Sequence, residues 1–147
     1  METTVFLRGL LPGWSALLGL TCSFLSGARA PLPLAGPLIS SGETILGERI
    51  VYPTGAPAKV TAAIVTLAPG QETGWNIHGA PVLGYVLEGE LEVDYGDKGL
   101  RVYREGEAML EAIGVPHNGR NIGSGTMRIL AVFMGAEGLQ PSVPAPR

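Results

Sequence analysis

Gly70-Gln71-Glu72-Thr73-Gly74-Trp75-Asn76-Ile77-His78, followed by the apolar run Val82-Leu83-Gly84-Tyr85-Val86-Leu87 and the turn Glu88-Gly89-Glu90, decides how this chain folds. A short β-type run, entered through a glycine-rich loop and left through a glycine turn, is strand grammar. The same grammar repeats on both sides. Upstream, Val60, Ala62, Ile64 and Thr66 alternate with Thr61, Ala63, Val65 and Leu67 until Pro69-Gly70 ends the run. Downstream, Leu91–Tyr95 and Leu100–Tyr103 flank Gly96-Asp97-Lys98-Gly99 as a hairpin. Glu105-Gly106-Glu107 turns into Ala108–Ala112, Gly114–His117 is a tight loop, and Arg120–Ile122 and Met127–Met134 read as the last strands. Glu48–Tyr52, stopped by Pro53, reads as an earlier one. No amphipathic helix is expected after residue 30.

Composition agrees. Of 147 residues, 22 are glycine and 12 proline, while charged residues make up only 16%. Many short strands joined by tight turns imply a sandwich or a closed barrel, and closure removes the edges that invite aggregation. Periodicity alone does not choose between them. A formal net charge of −3 and the lack of any basic run give no electrostatic footprint for nucleic acid, and no nucleic-acid partner is expected.

Residues 1–28 read as an export signal. No charged side chain lies between Arg8 and Arg29, Ala16–Leu25 is largely apolar, and Ser26-Gly27-Ala28 offers a small–x–small cleavage site. Pro31 would obstruct cutting after Ala30, which favours a cut after Ala28. The protein is therefore expected to be exported, periplasmic or secreted. It would touch a membrane only through this segment, should the segment stay uncleaved as an anchor. The single cysteine, Cys22, falls inside it, with Gly19 where a lipoprotein signal would want leucine. Residues 29–43 read as an extended lead-in and 44–137 as the barrel. Residues 138–147, with prolines at 141, 144 and 146, are expected to hang loose.

The chain has two histidines, His78 and His117. The run from Gly70 through Asn76-Ile77-His78 to Gly89 resembles the first motif of the cupins. There a glycine leads into a His–x–His pair, then a glutamate, then a strand and a glycine turn. The run from Gly106 through Gly114-Val115-Pro116-His117 to Asn121 resembles the second motif, with Ala112 where a proline is usual. The resemblance covers roughly Val60 to Met134. It implies an all-β fold, an antiparallel double-stranded β-helix or jelly-roll barrel, with a divalent transition metal (Fe, Mn, Ni, Zn or Cu) held inside on neutral imidazole nitrogens. It also implies oxygenase, lyase or isomerase chemistry on a small organic molecule.

The departures from the pattern are specific. Asn76 stands where the first histidine belongs, and the motif glutamate should lie near Val82, which is apolar like Leu83. His78 and His117 remain as ligands, with the Asn76 amide a weak third. The alternative reading is a non-catalytic cupin that binds or senses a small ligand through a degenerate metal site. A mainly structural homodimer is a third, because a small barrel gains core by pairing.

Other polar groups are candidates. By alternation Leu110 and Ala112 share one face of their strand, and Met109 and Glu111 the other. Glu111 is expected outside, on a solvated face. Turned inward, it would be a substitute ligand or a general base, the one catalytic candidate. Trp75, Gln71, Tyr85 and Asn121 are expected to line the pocket. Glu88, Glu90, Glu92 and Asp94 read as a solvated hairpin face.

Overall fold

The structure, a computed structural model, describes residues 36–147. The expected export signal, Cys22 and the first part of the lead-in lie outside them. The described chain is all-β. Its strands are β1 (Ala58–Leu67), β2 (Asn76–Ile77), β3 (Val82–Glu88), β4 (Glu90–Asp94), β5 (Leu100–Arg104), β6 (Ala108–Leu110), β7 (Asn118–Asn121), β8 (Met127–Ala136) and β9 (Val143–Pro144). A 3₁₀ turn at Gly96–Lys98 joins β4 to β5.

The strands form a four-stranded sheet, β1-β8-β3-β6, a three-stranded sheet, β5-β4-β7, and the pair β2-β9, all antiparallel. Bridges from Glu72 to Arg120 and from Asn76 to His117 tie the loop before β3 onto β7. Successive strand residues point to opposite faces, so the inner set is read off directly. Val82, Gly84 and Val86 of β3 are buried, as are Leu91 and Val93 of β4. Glu90, Glu92 and Asp94 take the outer positions. Val86, Tyr95, Met109 and Met127, each at most 1% exposed, sit at the centre of the core.

Two glycines are needed for their shape. Gly84 lies on the inner face, where a Cβ would come within 3.0 Å of both Ile129 and Met109 side chains. Gly89 has φ +81° and lies against Met127, whose Cα would be 3.0 Å from an added Cβ. The pairing of β3 with β8 slips between Val86 and Glu88, just before this turn.

Two expectations about chain segments are corrected. Glu48–Tyr52 is not a strand. Its backbone and side chains bond locally instead: Thr44 N–H donates to Glu48 O (2.9 Å), the Thr44 hydroxyl meets the Glu48 carboxylate, and Glu43 bridges Arg49. Ile45 N–H then pins this turn to Leu110 O at 2.8 Å.

The end of the chain does not hang loose. Val143–Pro144 pairs with Asn76–Ile77, Ala145 N–H donates to Trp75 O at 3.1 Å, and Leu139 packs near Gly79 and Gly135. Prolines are compatible with this strand because it is a two-residue edge that needs few donors.

Candidate metal and ligand site

Between the two larger sheets lies a cavity of about 750 Å³. Its walls are aliphatic and aromatic, among them Val65, Leu67, Val82, Ile129 and Phe133. Polar side chains enter it from the other direction. His78 follows β2 and His117 precedes β7, and the reciprocal bonds between Asn76 and His117 (both 2.9 Å) bring these segments together. Both imidazoles are buried, at 7% and 3% exposure.

The hydrogen bonds fix the chemistry of the pair. His117 Nδ1 lies 2.9 Å from Val115 O, and His78 Nδ1 lies 3.1 Å from Pro141 O. A carbonyl oxygen only accepts, so each Nδ1 carries the proton. When neutral, both rings therefore present bare Nε2 lone pairs, and these atoms stand 3.2 Å apart. Two lone pairs facing each other in a buried site repel unless a cation joins them. Protonation is a poor answer for His78, since burial, with His117 beside it, lowers its pKa to about 4 despite the Pro141 carbonyl. A metal fits better. Two nitrogens at ~2.0–2.2 Å from one ion, subtending about 90–110°, are roughly 3.0–3.5 Å apart.

The remaining donors do not complete a protein-only shell. Among the described residues, no group of three or more His, Cys, Asp or Glu side chains could hold a metal ion. The Asn76 amide lines the rim of the cavity but is already engaged. Its Nδ2 donates to Gly74 O (3.0 Å) and His117 O (3.3 Å), and its Oδ1 accepts from Ser142 Oγ (2.8 Å). The amide expected as a weak ligand is thus also bonded to the C-terminal segment. Val82 does face the cavity, as the motif position requires, but brings only methyl groups.

Glu111 faces inward, contrary to the expected solvated position. Glu111 N–H donates to Val82 O (2.9 Å), which continues the ladder beyond β6, so alternation puts Glu111 on the side of buried Met109. The Tyr95 hydroxyl donates to its Oε1, and Ala112 N–H donates to the same oxygen at 3.1 Å. Tyr95 also stacks obliquely near His117, with ring centroids 5.7 Å apart. Burial and the Glu111 charge push both tyrosines up, Tyr103 to about 12. The Tyr103 hydroxyl is buried and has no hydrogen-bond partner among the described residues. Sequence reasoning passed over Tyr95, although Leu91, Val93 and Tyr95 follow the inward period of β4.

Two of the expected pocket residues lie elsewhere. Tyr85 is on the outer face of β3, because its neighbours Gly84 and Val86 occupy the inner one. Asn121, 1% exposed, is a structural brace. Its Nδ2 donates to Leu67 O (2.9 Å) and Gly125 O (2.8 Å), and its Oδ1 accepts from Gly123 N–H (2.9 Å). Gln71 and Trp75 do line the cavity, at its rim. Gln71 Oε1 accepts from Ala68 N–H, and Arg147 lies over the Trp75 ring at 5.6 Å.

The comparisons agree with this architecture. The family model described as "Cupin domain" matches residues 63–133. No curated protein matches the chain. Among solved structures, it is similar to an uncharacterized conserved protein with a double-stranded beta-helix domain from Klebsiella pneumoniae subsp. pneumoniae MGH 78578. The identity is 21%, the TM-score 0.53, and the match covers 74% of this chain and 84% of that one. It is also similar to the oxalate decarboxylase of Lactobacillus farciminis, solved as a formate complex, at 22% identity and TM-score 0.50. That match covers 58% of this chain and only 26% of the decarboxylase. At such identities the likeness shows the fold. With the two motif segments, the antiparallel double-stranded β-helix and the family match in agreement, residues 63–133 form a cupin domain.

Proposed function

We propose that this cupin binds a small, largely apolar organic molecule in its barrel, beside one divalent transition-metal ion gripped by His78 and His117. The observation that carries this reading is the opposed pair of Nε2 atoms at 3.2 Å, each made a donor site by a carbonyl on the far side of its ring. A carbonyl that accepts from the far nitrogen orients a ligating imidazole and raises its basicity. With two protein ligands, most of the coordination sphere is left to water and to the bound molecule. Metal held this way is weak alone and tighter when a chelating molecule shares it. Fe, Mn, Ni, Zn and Cu all accept imidazole, and geometry and supply select among them. Export remains the proposed destination.

Titration with Co²⁺, followed by its visible absorption, tests the grip. Saturable bands in the natural protein, absent in His117→Ala, support it; no bands in either removes it.

A second reading, a metal-dependent oxygenase, lyase or isomerase, is favoured by one observation. Glu111 lines the same cavity as the histidines and offers a carboxyl group that can exchange a proton with a bound molecule. Against it stand Asn76 and Val82, which remove two of the four usual ligand positions. Binding without chemistry therefore leads.

A further inference from the structure

The Glu111 carboxyl group is bound on one side only. Oε1 takes both available protein donors, the Tyr95 hydroxyl and the Ala112 N–H. Oε2 has no hydrogen-bond partner among the described residues, although the side chain lines the cavity. The cavity wall is mostly apolar, with His78, His117, Asn76 and Glu72 among its polar lining, and among the described residues no lysine or arginine lines it. Oε2 opens on the cavity with no protein donor competing for it, so a bound molecule that displaces water there must supply a donor or leave the oxygen unpaired. The Tyr95 and Ala112 bonds meanwhile hold the group still, so its free oxygen is aimed and not adaptable.

We infer that Glu111 selects the molecule: the barrel takes compounds that carry an N–H or O–H donor, an ammonium or a hydroxyl group, on an otherwise apolar body. This rests on the barrel being a ligand pocket, and it names what the pocket reads. A hydrogen bond to a charged group discriminates by about 10- to 100-fold between molecules with and without the donor.

The test uses three probes with one apolar body: toluene, benzyl alcohol and benzylamine. Each dissociation constant is measured by ligand-observed NMR at neutral pH on the natural protein, on Glu111→Gln and on Glu111→Leu. The expected result is that benzylamine and benzyl alcohol bind the natural protein roughly tenfold or more tightly than toluene. Both should lose that advantage in the two variants, while toluene changes less than about twofold. Toluene binding thereby reports that each variant keeps its pocket. An equal ranking of the three probes in the natural protein overturns the inference while leaving the pocket reading intact, and this comparison holds even if both variants fail to fold. An advantage that survives both substitutions overturns it as well. If none of the probes binds, the pocket reading falls and the inference falls with it.

Discussion

His78 and His117 meet through their Nε2 atoms, 3.2 Å apart, while a backbone carbonyl holds the Nδ1 proton of each ring. The arrangement leaves a buried, doubly nucleophilic point on one wall of an apolar barrel. It has measurable consequences even without a bound ion.

Stability should depend on pH through His78. Its folded value, about 4, lies below the ordinary 6.5, so the unfolded chain binds the proton more readily. The stabilisation is therefore complete above about pH 6.5 and is lost progressively as the pH falls to about 4. Its size is on the order of 3 kcal/mol. Urea unfolding of chelator-treated protein from about pH 7.5 to 4 should show this decline, and His78→Phe should flatten it. An unchanged slope in that variant would place the pH dependence elsewhere.

The C-terminal segment should matter to the site more than to the barrel. Pro141 O holds the His78 ring, Ser142 engages Asn76, and Arg147 reaches both Trp75 and Asp94 (3.7 Å). Removing residues 139–147 should cost only about 1–2 kcal/mol, because most of this segment lies at the surface. It should nevertheless release His78 from its Nδ1–H tautomer, visible in long-range ¹H–¹⁵N spectra. An unaltered His78 tautomer in the truncated chain would show that the segment does not set it.

Tyr103→Phe should be neutral or stabilising by up to about 1 kcal/mol. The substitution removes a buried hydroxyl that has no partner among the described residues, so no hydrogen bond goes with it. A loss of more than about 1 kcal/mol on thermal unfolding would mean that this hydroxyl is satisfied in solution.

The outer edge strand suits self-association. β1 ends the four-stranded sheet, and Val60 and Ile64 on its outer face are 67% and 52% exposed. A long apolar edge of this kind invites pairing with another chain. Light scattering should find a homodimer at micromolar concentration, and Ile64→Lys should shift it to monomer. A natural chain that stays monomeric throughout would reject this surface as an interface.

The fold was legible because its strands carry their own punctuation. Gly89 and Gly106 mark turns where they were expected, and the alternation in Val82–Leu87 and Leu91–Tyr95 marks the inner face. The two histidines were legible from their motif context. Three parts were not. Glu111 sits past the last residue of β6, where alternation alone cannot say which face is inside until Met109 is seen buried. The local bonds of Thr44 override the β-like composition of Glu48–Tyr52. The tail strand pairs with only two residues, Asn76 and Ile77, too few to leave a periodic signal. That same pairing is why Asn76, legible as a degraded ligand, turns out to be bonded to Ser142.

Metal content of the purified chain from Arg29 onward, prepared without chelator and read by mass spectrometry beside His117→Ala and Asn76→His, tests the central claim most directly. The account predicts a substoichiometric or single equivalent of a divalent transition metal in the natural protein. It should be absent in His117→Ala and raised in Asn76→His, where a third imidazole replaces the engaged amide. A natural protein free of metal under metal-replete conditions, or one whose metal persists in His117→Ala, would contradict it.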